Sequence, residues 1–392
     1  MMKKIIALLM VLLTLSASAT VFADETDAVP LTGEVVYVYN WNLYISDGSD
    51  GTLNVNEEFT RRTGIKVIYD IYDTNEILYT KLKTGGANYD VIIPSDYMIG
   101  KLVEEDMLAP LNFDNIPNAQ YIDERFRNMS YDPDNRYTVP YSWGSVGIIY
   151  NTKYVTKPVD SWSILWDEDY KGKILMFDNS RDAFAISELL LGLDVNTTSV
   201  DDLNAAHDKL LEQKDLVQDY IMDQVFNAMQ HEEAWMAPYY AGDYLTMAKE
   251  NSDLAFCFPK EGYNLFVDAM CIPKNAENKE AAEKYINFLC DPEIMAANLD
   301  YIGYSSPSTA VKDYLDPDLA ASEVAYPSED VLARGVTFEN LPTDTIQTMN
   351  DKFNSVKASS SGWSLYIIIA VVVLLVVCGT VLVIRRKKRN DY

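Results

Sequence analysis

The chain has 392 residues, and its 59 acidic side chains outnumber its 32 lysines and arginines to give a formal net charge of −27. A protein this acidic repels nucleic acid and concentrates small cations near its surface, so no nucleic-acid partner is expected. The length suffices for a targeting segment and two domains of about 100 to 200 residues each.

The N-terminus has the pattern of a secretory signal peptide. Lys3 and Lys4 precede the apolar run 5–15, and residues 21–23 resemble a cleavage site of the A-x-A type. This pattern predicts a signal peptide at residues 1–23 and an N-terminal extension at 24–34. No cysteine stands directly after the predicted cleavage site, so a lipid anchor is not indicated.

Alternating strand and helix patterns follow the signal. Short β-branched runs predict strands, and 3.6-residue periodicity with capping residues predicts helices. The first series comprises strands at 35–39, 65–72 and 91–93, with helices at 55–62, at about 74–83 with Asp73 and Glu76 as a capping box, and at about 97–105. The second series comprises an extended crossover at 137–143, strands at 148–150 and 174–177, and helices at about 183–191 and 200–212. Such alternation predicts an α/β protein with mostly parallel sheet and a cleft between two lobes.

The C-terminus has the pattern of a membrane anchor. Residues 365–384 are apolar and uncharged, which matches the roughly 20 residues that cross a bilayer. Residues 385–389 are all basic, and the positive-inside rule places them in the cytoplasm. The pattern predicts a tether at 357–364, one transmembrane helix at 365–384 and a cytoplasmic tail at 385–392, with the rest of the chain outside the membrane.

A cell-wall sorting signal is the alternative interpretation of this C-terminus. Residues 341–345 agree with the LPxTG pattern in their first three positions and depart from it in the last two. They also precede a predicted helix at 346–356, which cleavage there would remove. A permanent anchor is therefore preferred.

Several aromatic residues stand next to strand-like runs, where ligands bind in an open α/β sheet. These aromatic residues are Trp41, Tyr44, Tyr97, Tyr240 and Phe266. Phe266 is also close to Asp268, which is expected to start a strand at 269–273. Aromatic rings attract positive charge, and a desolvated carboxylate needs a charged partner. The pattern therefore predicts a site for an organic cation, with Asp268 as its main carboxylate.

The sequence gives little support for an enzyme, a metal site or a cofactor. Its two histidines are His207 and His231, and the segment after His231 lacks the second histidine of the H-E-x-x-H motif. No G-x-S-x-G motif or P-loop is present. Cys257, Cys271 and Cys290 lack C-x-x-C spacing, and whether Cys257 pairs with Cys271 stays open. A surface hydrolase remains an alternative, and a ferric-ion or sugar binder of the same fold is the nearer one.

Seven segments, in order from about residue 35 to 356, resemble the spermidine/putrescine-binding proteins of bacterial polyamine ABC importers. They are Tyr39-Asn40-Trp41, Thr63-Gly64-Ile65-Lys66-Val67-Ile68-Tyr69, Tyr89-Asp90-Val91-Ile92-Ile93-Pro94-Ser95, Tyr131-Asp132-Pro133, Val139-Pro140-Tyr141-Ser142-Trp143-Gly144, Tyr170-Lys171-Gly172 and Ile302-Gly303-Tyr304-Ser305-Ser306-Pro307. The resemblance implies a two-lobed periplasmic-binding-protein fold that closes by a hinge on one polyamine. It also implies delivery of that polyamine to the permease subunits of an ABC importer.

The resemblance further implies a division into lobes and a set of ligand-binding residues. Lobe 1 would be residues 35–140, completed by about 263–310, and lobe 2 would be residues 141–262, completed by about 311–356. The implied aromatic residues are Trp41, Tyr44, Tyr97, Tyr240, Phe266 and Tyr304, the implied polar contacts are Asn42 and Ser95, and the implied ammonium-binding carboxylates are Asp182 and Asp268.

The chain departs from the family's pattern at several of these positions. Asn179 stands where an acid is common, Glu339 stands near a position that is often Gln, and Tyr240 and Phe266 replace tryptophans. The loop 46–51 resembles an insertion. We expect Glu339 to contact a second or third amine, and the choice between spermidine and putrescine stays open.

Overall fold

One sheet of ten strands runs through the part of the chain that the computed structural model describes, residues 29–85 and 88–359. The strands are β1 (Val35–Trp41), β2 (Lys66–Tyr72), β3 (Val91–Ile92), β4 (Thr138–Asn151), β5 (Ile174–Phe177), β6 (Val217–Ile221), β7 (Met236–Tyr240), β8 (Leu254–Cys257), β9 (Tyr263–Cys271) and β10 (Gly335–Val336). The predicted signal peptide, transmembrane helix and cytoplasmic tail lie outside the described residues. Within 29–85 and 88–359, no helix is long and apolar enough to span a bilayer.

The helices of this part alternate with the strands, as the sequence pattern predicts. They are α1 (Val55–Thr63), α2 (Asn75–Thr84), α3 (Asp96–Glu104), α4 (Ser180–Leu191), α5 (Val200–Gln213), α6 (Gln224–Gln230), α7 (Ala241–Glu250), α8 (Lys279–Leu289), α9 (Pro292–Ile302), α10 (Pro317–Ala320), α11 (Glu329–Leu332) and α12 (Thr343–Ala358). Short 3-10 helices lie at Ser49–Gly51, Phe113–Asn115, Pro117–Tyr121, Glu124–Phe126, Trp162–Trp166 and Glu168–Tyr170.

Two parallel groups of strands flank an antiparallel pair. The order across the sheet is β2-β1-β3-β9-β4-β7-β5-β6, with β10 beside β9 and β8 beside β4. Strand β1 pairs in parallel with β2 and β3, and β5 pairs in parallel with β6 and β7. Strands β4 and β9 pair antiparallel to each other. The parallel groups were expected from the sequence, and the pair β4 and β9 that joins them was not.

Strand β4 connects the two groups in a single run of 14 residues. Its first half pairs with β9, and its second half pairs with β7 and β8. The predicted separation into a crossover at 137–143 and a strand at 148–150 is therefore wrong. A register shift next to Pro140 accommodates its missing N–H, and a Cβ at Gly144 would lie 2.8 Å from the Phe266 ring.

Two local predictions also need correction. The N-cap of α2 is Thr74, whose side chain accepts a hydrogen bond from the Ile77 N–H at 3.3 Å, so the proposed Asp73 and Glu76 capping box is wrong. Asp268 lies inside β9 and does not start a strand, because the chain from Tyr263 onward already pairs with β10 and β4. The lobe boundaries stay a prediction.

Aromatic contacts fix the helices on the first parallel group. The rings of Phe59 on α1 and Tyr285 on α8 meet edge to face at 5.1 Å, and both are fully buried. The Tyr285 hydroxyl donates to Asn56 Oδ1 at 2.7 Å, so its polar atom is satisfied. Burying a side chain of this size contributes about 1.5 to 3 kcal/mol, which makes this contact a main anchor of α1 and α8.

Gly64 ends α1 in the left-handed conformation, with φ of 73°. A Cβ there would lie 2.3 Å from the Pro30 carbonyl oxygen, whereas Gly192 ends α4 with φ of 71° and no described atom within 4 Å. We expect Gly192→Ala to lower the free energy of unfolding by about 1 to 2 kcal/mol, the cost of the left-handed conformation. Gly64→Ala should lower it further, because segment 29–32 must also move.

Urea unfolding of the wild type and both variants measures this difference. Equal losses for Gly64→Ala and Gly192→Ala would show that the contact between Gly64 and Pro30 does not constrain the fold.

Candidate functional site

A cavity lies between the two parallel strand groups and has about 660 Å³ of space free of protein atoms, with the solvent at its mouth included. Its lining is strongly biased toward aromatic and acidic side chains. The aromatic ones are Trp41, Tyr44, Tyr97, Tyr239, Tyr240, Phe266, Tyr304 and Phe338, and the acidic ones are Asp73, Asp96, Asp182, Asp223, Asp243 and Asp268. The remaining lining residues are Asn42, Asn75, Ser95, Asn179, Met222 and Asn264. Among the described residues, no lysine, arginine or histidine lines the cavity.

The structure brings all but one of the predicted site residues together around this cavity. The exception is Glu339, which is exposed, while its neighbour Phe338 reaches the cavity wall. The Glu339 backbone N–H donates to Asn196 Oδ1 at 2.9 Å, and this bond fixes the segment beside the cavity. The ligand contacts of all these residues stay predictions.

Trp41 and Tyr44 take their places from the end of β1. Trp41 is the last residue of the strand, and its indole Nε1 donates to the Ile93 carbonyl oxygen at 2.8 Å. The chain then turns back, so that the Tyr44 hydroxyl donates to Asp268 Oδ2 at 2.6 Å and also contacts the Ser142 hydroxyl. The two rings, one at the end of β1 and one in the turn after it, thus form a wall next to the carboxylate that β9 carries.

Asp268 is 3% exposed and has an unsatisfied oxygen. Oδ2 accepts the Tyr44 hydrogen bond, whereas Oδ1 is buried and has no hydrogen-bond partner in the described structure. Burial raises the pKa of Asp268 to about 6, although the Ser95 side chain and, to a smaller extent, the Tyr44 hydroxyl act in the opposite direction. An unpaired buried carboxylate oxygen is unfavourable, and a cationic ligand would satisfy it.

Asp182 occupies the first turn of α4 on the other side of the cavity. Its Oδ2 accepts hydrogen bonds from the Tyr240 hydroxyl at 3.2 Å and from Asn179 Nδ2 at 2.8 Å. Burial raises the pKa of Asp182 to about 7. Asn179 also caps α4, since its side chain accepts from the Arg181 backbone N–H at 2.9 Å. Asn179 thus caps the helix and orients the Asp182 carboxylate.

Four aspartates of the cavity lining, Asp73, Asp96, Asp223 and Asp243, were not among the predicted site residues. Asp96 is buried at the start of α3, where burial and the nearby Asp268 charge raise its pKa to about 8. Asp243 lies in the first turn of α7, three residues after Tyr240, and accepts a hydrogen bond from the Tyr304 hydroxyl at 3.1 Å. That spacing from Tyr240 was a usable signal for Asp243.

Asp223 gave no such local signal. It precedes α6, and its Oδ2 accepts a hydrogen bond from Asn42 Nδ2 at 2.7 Å, which joins the β1 side of the cavity to the β7 side. The Tyr239 hydroxyl donates to Asp223 Oδ1 at 3.1 Å. Burial raises the pKa of both Asp223 and Asp243, and the Asp223 charge raises that of Asp243 further.

The chain is similar to known proteins along most of its length. Residues 54–327 match the family described as bacterial extracellular solute-binding protein. The spermidine/putrescine-binding periplasmic protein of Salmonella typhimurium is 33% identical over 328 residues, which cover 83% of this chain and 92% of that protein. The putrescine-binding periplasmic protein SpuD of Pseudomonas aeruginosa is 30% identical over 365 residues, which cover 88% and 96%.

Two solved structures are also similar to this chain over most of its length. A putative spermidine/putrescine ABC transporter from Listeria monocytogenes matches with a TM-score of 0.79 and 36% identity, covering 83% of this chain and 99% of that one. The spermidine/putrescine ABC transporter substrate-binding protein PotD from Streptococcus pneumoniae matches with a TM-score of 0.70 and 32% identity, covering 83% and 98%.

The raised pKa values predict how stability depends on pH. Asp96, Asp182 and Asp268 have pKa values of about 8, 7 and 6 in the folded protein, against about 3.9 in an unfolded chain. The folded state therefore binds more protons between pH 4 and pH 8. The contribution of these three carboxyl groups to the free energy of unfolding is fully present below about pH 4 and is lost as the pH rises toward 8.

Thermal melting of the ligand-free protein from pH 5 to pH 8 tests this expectation against Asp182→Asn. The melting temperature of the wild type should fall more steeply with rising pH than that of Asp182→Asn. In the variant, Asn179 and Tyr240 face an amide that does not titrate. Parallel profiles for the two proteins would contradict the raised pKa of Asp182.

Proposed function

This chain belongs to the bacterial extracellular solute-binding protein family, and we propose that it captures a polyamine outside the cytoplasm and delivers it to an ABC importer. The observation that carries the proposal is the cavity lining, which combines six aspartates with eight aromatic rings and, among the described residues, no basic side chain. Relatives named for spermidine and putrescine binding support the same ligand class.

A polyamine matches the chemistry of this lining. A primary ammonium has three N–H donors and no acceptor, so it needs carboxylate or carbonyl oxygens around it once it leaves water. The methylene spacer between amines is apolar, and flat aromatic rings can cover it. The unpartnered Oδ1 of Asp268 is available for one ammonium, while Trp41 and Phe266 can cover the spacer.

The carboxylates lie in three groups, which suits a ligand with two or three nitrogens. Asp268 lies near Asp96, Asp182 is oriented by Tyr240, and Asp223 lies near Asp243 and Asp73. We propose that Asp243 supplies the carboxylate that Asn179 lacks. Sequence reasoning assigned that part to Glu339, which is exposed on the segment outside the cavity.

The two ends of the chain complete the proposal. A signal peptide at 1–23 would export the protein, and an apolar helix at 365–384 with a cytoplasmic tail at 385–392 would keep it at the membrane. The tether at 357–364 would then hold the binding lobes close to the permease subunits of the importer.

The alternative ligands fit the cavity less well. Tyrosine hydroxyls such as that of Tyr304 are present, but burial raises the pKa of Tyr304 well above its usual value, and no described histidine reaches the cavity to complete a ferric site. A neutral sugar would leave the buried carboxylates without a charge partner. The family is one of solute-binding proteins, and no nucleophile or catalytic pair is needed to explain the site.

Calorimetry of the full-length protein with putrescine, spermidine, ferric ion and maltose tests the proposal. We expect heat of binding with one or both polyamines only. Asp268→Asn should weaken binding by about 3 to 5 kcal/mol, because it removes one partner of a buried charge pair. Asp318→Asn, at an exposed position, is the matched control and should bind as the wild type does. No heat with either polyamine, or equal affinities of the two variants, would refute the proposal.

The placement of the extra charge is tested by Asp243→Asn and Glu339→Gln. Asp243→Asn should weaken polyamine binding at least tenfold, since a charge-assisted hydrogen bond is worth about 1.5 to 3 kcal/mol. Glu339→Gln should leave the affinities for putrescine and spermidine close to those of the wild type. If Glu339→Gln weakened binding and Asp243→Asn did not, Glu339 would supply the third carboxylate and Asp243 would not belong to the site.

A further inference from the structure

Arg181 is the only lysine, arginine or histidine that is buried in the described part of the chain, with 1% exposure. It lies in the first turn of α4, directly before Asp182 of the cavity wall. A buried cation next to a site for cations opposes ligand binding by repulsion, so its presence requires an explanation.

The guanidinium of Arg181 is held by neutral groups. One terminal nitrogen donates to the Val195 carbonyl oxygen and the other to Asn196 Oδ1, both at 2.6 Å, and Nε has no partner. The Phe338 ring lies 4.2 Å from the guanidinium carbon, and the same ring lines the cavity. Within the described residues, no carboxylate forms an ion pair with Arg181 at 4.0 Å or less. Its charge is therefore not neutralised by direct contact.

Carboxylates surround Arg181 at longer range. Glu188 and Asp182 face it from its own helix, and Asp96 and the Tyr97 hydroxyl face it from α3. Both oxygens of Glu188 lack hydrogen-bond partners, and burial raises the pKa of Glu188 to about 8. Glu188 is therefore largely protonated at neutral pH and does not neutralise the charge of Arg181. Other acidic residues also act on these carboxylates: the charge of Glu76 raises the pKa of Asp182, and the charges of Asp194 and Asp202 raise the pKa of Glu188. The pKa of Asp96 is also about 8, so at neutral pH the carboxylate that remains for Arg181 to act on is mainly Asp182.

We propose that Arg181 is a positioning residue for the cation site, whose guanidinium, without an ion-paired carboxylate, favours the ionised form of Asp182 in the ligand-free cavity and so sets the pH range for ligand binding. This inference rests on the proposed function for its effect on polyamines, but its effect on Asp182 exists without a ligand. Opposite charges favour each other's ionised forms. Arg181 thus repels the ligand to some extent, but it raises the fraction of Asp182 that is ionised near neutral pH and can bind an ammonium group.

The test replaces the charge and follows Asp182 directly. Arg181→Gln keeps amide donors for Val195 and Asn196 and removes the charge, Arg181→Met removes both, and Arg181→Lys keeps the charge. In the ligand-free full-length protein labelled with carboxyl-¹³C aspartate, the Asp182 signal, assigned by its loss in Asp182→Asn, reports the titration midpoint. Arg181→Gln and Arg181→Met should raise this midpoint by about one pH unit or more, and Arg181→Lys should restore it.

Spermidine affinity at pH 6 and pH 8.5 provides the second readout. The uncharged variants should lose about tenfold more affinity at pH 6 than at pH 8.5, because each unit of pKa shift is a factor of ten in the ionised fraction below the midpoint. An unmoved Asp182 midpoint, or the same loss of affinity at both pH values, would reduce Arg181 to a structural role and overturn the inference. A wild type that binds no polyamine would refute the proposed function alone, and the Asp182 titration would still decide the role of Arg181.

Discussion

The burial of several aspartates around one cavity, without a lysine, arginine or histidine among the described residues of its wall, is the constraint on which the site depends. Each carboxylate placed there resists ionisation, and the pKa values of Asp96, Asp182 and Asp268 rise accordingly. Hydrogen bonds from tyrosines offset part of this cost, as Tyr44 does for Asp268 and Tyr304 does for Asp243. The remaining deficit is removed when a cation enters, so the same feature that weakens the empty protein provides affinity for the ligand.

The fold makes this arrangement possible by bringing two parallel strand groups to the same antiparallel pair. Strand β9 carries Phe266 and Asp268 into the middle of the sheet, and β4 continues from β9 to β7 without a break. The end of β1 contributes Trp41, and the end of β7 contributes Tyr240 from the opposite side. Residues far apart in sequence therefore meet, and the hydrogen bond from Asn42 to Asp223 already spans the space between them.

The sequence was informative where a site residue lies in or next to its own strand or capping position. Trp41, Tyr97 and Tyr240 follow recognisable strand patterns, and the structure places them on one cavity. Asp223 could not be found in this way, because its position results from packing between α6 and β7, which no local pattern encodes. Asp96 and Asp243 were overlooked although each stands within three residues of a predicted aromatic. The division of β4 was wrong because one continuous strand pairs first with β9 and then with β7, a long-range pairing in which Gly144 makes room for Phe266.

A crystal structure of the full-length protein with spermidine would show which carboxylates receive the amines. We expect the ligand inside this cavity, with one ammonium within hydrogen-bonding distance of the unpartnered Oδ1 of Asp268, another beside Asp243 or Asp182, and the methylene chain against Trp41 and Phe266. A ligand bound elsewhere, or an ammonium held by water and carbonyl groups while Asp268 Oδ1 stays unpaired, would contradict this expectation.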